Sequence, residues 1–289
     1  MNILIIGGTR FMGVHLVKNL LSKGHDVTIA TRGIITDEYG SSVKRIVVDR
    51  TNLSSVKEKL SGLTYDVIID NIALGSNDVV YLLDNVQTSR YIMISSISVY
   101  ENYKIGLKEN DFEPENHPLK WCSKLDDTYE EIKRQAECAL FQKYPELNSV
   151  AVRFPFVIGV DDYTKRLYRY VENAVKALPM NIDNIHEKMV FVNSAEAGAF
   201  LAWLVDKTFT GAVNASNYGE ITLKQIIDTV ANKTGKTPIF SESASPLPYN
   251  GTKSYSLDLS KVEQWGFQFS HINLWLDELL DFYIETAKQ

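Results

Sequence analysis

The opening segment constrains the fold most. An apolar run, Met1-Asn2-Ile3-Leu4-Ile5-Ile6, passes directly into Gly7-Gly8-Thr9-Arg10-Phe11-Met12-Gly13, and a helix-patterned stretch follows from Val14 to Lys23. A parallel strand buried on both faces reads as such an unbroken run. The glycines let the backbone turn tightly, and the start of the helix offers free N–H groups and a partial positive charge suited to phosphate. Gly13 is expected to let the helix pack close to its strand. Glycine-rich turns are common, and it is the placement between strand and helix that points to a dinucleotide pyrophosphate.

Strand-like runs at Asn2–Ile6, Asp26–Ala30, Arg45–Val48, Asp66–Asp70 and Tyr91–Ser95 alternate with helix-patterned segments, the signature of βαβ units. A longer helical pattern, Leu125–Lys143, leads to a further strand at Ser149–Phe154. The expected class is α/β: a Rossmann-type doubly wound parallel sheet over residues 1–158, with a smaller C-terminal substrate-binding lobe over 159–289, part of which is free to return to the sheet. The lobe reads as helices with short strands at Met189–Val192 and Ala212–Ala215, a loop holding Pro246, Pro248 and Gly251, and an amphipathic helix from about His271. A chain of 289 residues with 45% hydrophobic content is large enough for this plan.

A formal net charge of -6 gives no field to gather a phosphate backbone, which argues against nucleic acid and leaves a small molecule as the expected ligand. Cys122 and Cys138 are the only cysteines, suiting a reducing cytoplasm, and Cys138 reads as helix core. No apolar run has the length of a membrane span and no leader pattern opens the chain, so a soluble cytoplasmic protein without membrane contact is expected. His15, His25, His117, His186 and His271 have no paired spacing, so no metal site is expected. Phe200, Trp203 and Phe209 have helix-like spacing and read as core rather than as a base-stacking platform.

Tyr129-Glu130-Glu131-Ile132-Lys133 sets a phenol and an amine about one turn apart on the same helix face. A free tyrosine, with a pKa of about 10, is a poor base at neutral pH unless a cation favours phenolate, and Lys133 is placed to be that cation. Tyr-x-x-x-Lys occurs at three places in the chain. Tyr100/Lys104 falls in a loop after a strand, and Tyr249/Lys253 spans Asn250-Gly251 beside two prolines, so only the pair at 129 and 133 has a helix to orient it.

Taken in order, these segments resemble a short-chain dehydrogenase/reductase of the extended or atypical branch, the NAD-dependent epimerase/dehydratase family. The likeness covers nearly the whole chain. Besides the glycine turn and Tyr129-x-x-x-Lys133 with Glu137 one turn on, it rests on Asp66-Val67-Ile68-Ile69-Asp70-Asn71-Ile72-Ala73, on Ser95-Ser96-Ile97-Ser98-Val99-Tyr100 and on Arg153-Phe154-Pro155-Phe156-Val157-Ile158-Gly159. The resemblance implies that Tyr129 exchanges a proton with a substrate hydroxyl or carbonyl while hydride passes to or from a nicotinamide. Ser96 would hold the same oxygen, and Lys133 would bind the nicotinamide ribose and favour the phenolate. Cofactor contacts are implied for Gly7, Gly8, Thr9, Arg10, Phe11, Met12 and Gly13, for Asn71, Ile72 and Ala73, for Pro155, Phe156 and Val157 against the nicotinamide, and for Asp49 and Arg50 near the adenine. The Leu125–Lys143 helix resembles one that family members use to form homodimers, although its apolar face fits internal core equally well.

Four departures from the family pattern matter. Arg10 stands where the three-glycine turn has its middle glycine. The second strand ends Ile29-Ala30-Thr31-Arg32-Gly33, without the acid that would accept from an NAD ribose. An arginine there suits a 2'-phosphate instead, with Arg10 as a second contact, so NADP is favoured over NAD. Ile97 and Ser98 replace the Asp-Glu pair by which sugar-nucleotide 4,6-dehydratases eliminate water, which disfavours that route. No arginine follows Arg169, although Arg166 and Arg169 have the option of reaching substrate, so a sugar nucleotide is allowed and not compelled. Ser96 lacks a histidine-acid pattern for a hydrolase. The rival expectation is a catalytically silent nucleotide-sensing or RNA-binding protein, because the turn with Arg10 also resembles that of chloroplast stem-loop binding relatives.

Overall fold

The computed structural model describes residues 1–289. The first six strands are β1 (Asn2–Ile6), β2 (Asp26–Thr31), β3 (Lys44–Val47), β4 (Thr64–Asp70), β5 (Gln87–Ser96) and β6 (Asn148–Phe154). Beyond them come β7 (Phe156–Ile158), β8 (Pro179–Met180), β9 (Lys188–Met189), β10 (Phe191–Asn193) and β11 (Gly211–Asn214). One seven-stranded sheet has the order β11-β6-β5-β4-β1-β2-β3, with every pairing parallel. The chain winds outward in both directions from β1 and β4, and a crevice for ligand opens at that reversal, beyond the carboxyl ends of the strands. The expected α/β doubly wound sheet is the observed one.

The unbroken apolar character of β1 follows from cover on both faces. Ile3 and Ile5 pack with Leu16, Val17 and Leu20, while Leu4 and Ile6 pack with Val56, Leu60 and Ile68 on the opposite side. The first cluster includes α1 (Met12–Ser22) and the second α2 (Leu53–Leu60), joined there by residues of α3 (Ser76–Leu83) and α4 (Tyr129–Cys138). The chain then forms α5 (Arg166–Val175) and α6 (Ser194–Leu204). At Gly198 of α6 an added Cβ would lie 2.6–2.7 Å from His15 Cβ, Leu16 N and Met12 O, so this glycine permits α6 to lie directly against α1. β11 follows α6 and pairs with β6, bringing this part of the later chain into the sheet.

Several boundaries differ from the sequence reading for identifiable reasons. The helix expected from Leu125 starts at Tyr129, because the Thr128 side chain accepts from Glu131 N at 3.3 Å and caps it there; Leu125 is left 91% exposed. After Cys138 the chain continues as a π-helical turn, Ala139–Lys143. Of the two options for this helix's apolar face, the structure places Ile132, Ala136 and Cys138 inside the chain's own core. The strand expected at Met189–Val192 is divided at Val190: β9 pairs antiparallel with Ile221–Thr222, whereas β10 pairs parallel with β7. His271 precedes a 3-10 turn, Ile272–Leu274, and the C-terminal helix runs Leu276–Lys288. Phe200 is fully buried and stacks on Trp203, which in turn stacks on Phe209, as core aromatics do. Both cysteines are buried and free. No helix is long and apolar enough to cross a membrane.

Candidate active site

A cleft of about 920 Å³ opens over the carboxyl ends of β1, β2, β4 and β5. It is lined by the entire turn from Gly7 to Gly13, by Thr31 and Arg32, Asp49 and Arg50, Asn71 to Ala73, Ser96, Tyr129, Lys133 and Pro155 to Val157. The structure thus brings every catalytic and cofactor-binding residue singled out in the sequence to one place. A second hollow, of about 600 Å³, lies among Lys188, Tyr218 and His271 and contains none of them.

At the turn, Gly7 and Gly8 both adopt φ of 99°, a conformation that strains residues with a Cβ. At Gly13 an added Cβ would stand 2.9 Å from Gly8 Cα, so the glycine is required by the close approach of α1 to the turn. The Tyr39 hydroxyl donates to Gly8 O at 2.6 Å and clamps the loop after β2 under the turn; burial pushes its pKa up to about 12, so it stays a donor. Nothing in the sequence marks Tyr39, whose partner lies more than one strand away. Asn71 points to a ligand more directly. Both atoms of its side-chain amide are buried and have no hydrogen-bond partner, and a Cβ at Gly13 would come within 3.1 Å of its Nδ2. A cradle that tolerates no Cβ, beside a polar group without a partner, fits a bound dinucleotide.

The two cations expected around the adenine end are in different states. Arg50 is buried and engaged, donating to Asp70 Oδ1 at 2.5 Å and to Asp78 O at 2.7 Å. Tyr91 OH also donates to Asp70, at 2.9 Å, so Arg50 at the cleft wall is held in a buried structural network, although its Nε has no hydrogen-bond partner. Asp49 turns its carboxylate onto Thr51, which with nearby Arg32 holds its pKa below the usual carboxylate value. Arg32 itself is exposed. The Arg10 guanidinium lies over the Tyr163 ring, 4.9 Å from its centroid, and Phe11 meets the same ring edge-on. Arg10 does project from the turn, and it projects onto the later part of the chain.

At the other end, Ser96 Oγ donates to Ser98 Oγ at 3.0 Å and accepts from Ser98 N at 3.1 Å. Tyr129 lies at the first position of α4, where burial raises its pKa, opposed by the Ser96 hydroxyl and by the charge of Arg166. Lys133 is 3% exposed and donates to Ala73 O at 2.8 Å and Ile94 O at 2.7 Å. Burial pushes its pKa down to about 8, against the pull of Asp70 and Glu137. An ammonium has three donors, so one is left for a ligand. Two of the Lys133 donors are held by the carbonyls of Ala73, just after β4, and of Ile94 in β5. Glu137, expected one turn beyond, acts elsewhere, in the core. It is fully buried, pairs with Arg153 at 2.6 Å and accepts from Ser95 Oγ at 2.5 Å. Arg153 also donates to Tyr100 OH at 3.1 Å, and neither Tyr100 nor Lys104 lines the cleft.

Residues 3–79 match the model of the NAD dependent epimerase/dehydratase family. Epimerase and dehydratase structures share the fold of this chain over almost its full length. A UDP-glucose 4-epimerase from Thermotoga maritima, solved with UDP-glucose, superposes with a TM-score of 0.75 at 16% identity, covering 100% of this chain and 99% of that one. A putative epimerase from Burkholderia cenocepacia gives 0.75 at 16% identity, covering 99% and 98%. A dTDP-glucose 4,6-dehydratase from Bacillus anthracis, in complex with NAD, gives 0.73 at 17%, covering 100% and 98%. Among curated proteins, the chloroplast stem-loop binding protein of 41 kDa b from Arabidopsis thaliana is 32% identical over 112 residues, covering 34% of this chain and only 30% of its own length.

Proposed function

We propose that the protein is an NAD(P)-dependent oxidoreductase or epimerase that acts on a hydroxyl or carbonyl group, with sugar nucleotides as the first substrate class to try. The observation that carries this reading is the convergence of Ser96, Tyr129 and Lys133 on the same cleft as the glycine turn. The UDP-glucose held by the Thermotoga epimerase and the NAD held by the Bacillus dehydratase support the substrate class and the cofactor.

A nicotinamide dinucleotide bound there supplies hydride acceptance and donation. The chain's own groups manage the oxygen and its proton. The phenol of Tyr129, protonated at neutral pH, is suited to give its proton to a carbonyl oxygen in the reductive direction and to recover it in the oxidative one. Ser96 Oγ holds that oxygen, and the remaining donor of Lys133 takes a ribose hydroxyl. Residues 159–289, apart from the segment that returns to the sheet as α6 and β11, serve as the substrate lobe. NADP is favoured over NAD because Arg32 is exposed after β2 and no acid occupies that position; Arg10, stacked on Tyr163, is a less available second ligand. The cytoplasm, where free buried thiols persist, is the compartment that fits.

Turnover of UDP-glucose and of simple carbonyl compounds, followed by nicotinamide absorbance in wild type and Tyr129→Phe, tests the assignment. Activity that the variant loses supports it, and full activity in the variant removes Tyr129 from the role. The 32% identity to a stem-loop binding protein favours a second reading, a nucleotide-sensing RNA binder without turnover. That reading requires submicromolar RNA affinity that falls steeply with salt.

A further inference from the structure

Arg50 lines the dinucleotide end of the cleft, yet its polar atoms are turned into the chain. It lies just beyond β3 and is buried. One terminal nitrogen donates to Asp70 Oδ1 at 2.5 Å and the other to Asp78 O at 2.7 Å, while Nε lies 3.6 Å from Asp78 Oδ1. The guanidinium thus reaches from the last residue of β4 to the first turn of α3. Asp70 and Asp78 are buried as well, and carboxylates removed from water in this way require a cation and hydrogen bonds.

The same two carboxylates fasten the chain between them. Residues 71–75 form neither helix nor strand, so their backbone N–H groups need partners from outside a regular ladder. Asp70 Oδ1 accepts from Ile72 N at 3.1 Å, and Asp78 Oδ2 accepts from Leu74 N at 2.8 Å and from Gly75 N at 3.3 Å. Ala73 sits inside these contacts and presents the carbonyl that accepts from Lys133 Nζ at 2.8 Å. The other fixed acceptor of that ammonium, Ile94 O, belongs to β5 and is held by the sheet. Of the two, only Ala73 O depends on a brace made by side chains.

We infer that Arg50 is a positioning residue for Lys133: by tying Asp70 to Asp78 it fixes the Ala73 carbonyl, and through that carbonyl it aims the remaining donor of the ammonium at the nicotinamide ribose. The inference rests on the enzyme reading above, in which Lys133 takes a ribose hydroxyl. An ammonium has three donors, and two fixed acceptors set the direction of the third, whereas one fixed acceptor leaves it free to swing. Arg50 therefore serves the reaction end although it stands at the dinucleotide end, and it does so without touching the ribose.

The test is a double-mutant cycle on nucleotide affinity, read by fluorescence titration with whichever of NADH and NADPH the wild type binds more tightly. Arg50→Lys keeps the charge that the buried carboxylates require but cannot span both partners as the planar guanidinium does. It is expected to weaken binding about tenfold, the lower end for a hydrogen bond to a charged group, and to add almost nothing in the Lys133→Met background. ADP carries the adenosine diphosphate half without the nicotinamide ribose, and calorimetry should find its affinity unchanged by Arg50→Lys; a purely structural role would weaken both ligands. If ADP binds too weakly to measure, the cycle decides alone. Asp78→Asn, which loosens the hold on Leu74 N and Gly75 N, replaces Arg50→Lys if thermal melts show that variant unfolded, with the same pattern expected. Equal losses in the two backgrounds, an equal loss for ADP, or no loss at all would overturn the inference while the enzyme reading stands. A Lys133→Met variant that binds the dinucleotide as tightly as wild type would remove Lys133 from the ribose, and the inference with it. If wild type binds neither NADH nor NADPH, the enzyme reading itself fails.

Discussion

At the dinucleotide end of the cleft the working surface is mostly backbone, held by Gly7, Gly8 and Gly13 and clamped from below by Tyr39. At the reaction end it is side chains delivered by separate segments: Ser96 from the end of β5, Tyr129 and Lys133 from α4, and Arg166 from α5. The first end depends on conformation, so it is damaged by adding atoms. The second depends on chemistry, so it is damaged by removing single polar groups while the fold persists.

The largest effect should come from the reaction end. Tyr129→Phe is expected to lower turnover by about 10²–10⁴, the usual worth of a positioned proton carrier, with the melting temperature and NADH affinity close to wild type. A variant equally impaired in nucleotide binding would blur the division between the two ends. Next is Gly13→Ala, which places a methyl group against Gly8 Cα and is expected to cost about 1–3 kcal/mol in urea denaturation as the packing adjusts. It should weaken NADH and NADPH binding together, since the shared turn moves. Arg32→Asp should act on only one of the two: the ratio of NADPH to NADH affinity is expected to fall by about tenfold or more in paired fluorescence titrations. An unchanged ratio would leave Arg32 as a solvated surface arginine.

A further effect, which needs no substitution to appear, is a pH dependence. Burial penalises the charged form of Lys133, so its folded pKa of about 8 lies below the 10.5 it has when unfolded. Between those values the unfolded chain binds more protons, so this group's contribution makes stability rise with pH from about 8 and level off above 10.5. If the ammonium is what a ribose hydroxyl needs, nucleotide affinity should weaken over the lower part of the same window. Urea midpoints and nucleotide affinity measured across it in wild type and Lys133→Met would show both trends in the first and neither in the second.

The dinucleotide end is the more legible part of the chain for a physical reason. Glycine requirements and buried strands are local, and they appear as contiguous patterns such as Ile3 to Gly13 or Asp66 to Ala73. The strand alternation leads to the correct parallel sheet, whereas the pattern places the start of α4 four residues early, because Lys124 to Asp127 carry no breaker and the cap is a single threonine. The contacts that decide titration are not legible. Lys133 spends two of its donors on Ala73 and Ile94 only because the segment after β4, β5 and α4 meet in space. Tyr163 is invisible for the same reason: a lone tyrosine after Asp161-Asp162 gives no sign that it receives Arg10.

The central claim is that this cleft binds a nicotinamide dinucleotide at the glycine turn. The most direct measurement is a fluorescence titration of the purified protein with NADH and with NADPH, paired with heat denaturation of an aliquot to identify any nucleotide carried through purification. The account predicts either saturable binding of one nucleotide per chain, stronger for NADPH, or release of a bound dinucleotide on denaturation. Co-purified NAD would correct the cofactor preference and favour an epimerase, which regenerates its cofactor within each cycle. A protein that releases no nucleotide and binds neither NADH nor NADPH would contradict the account.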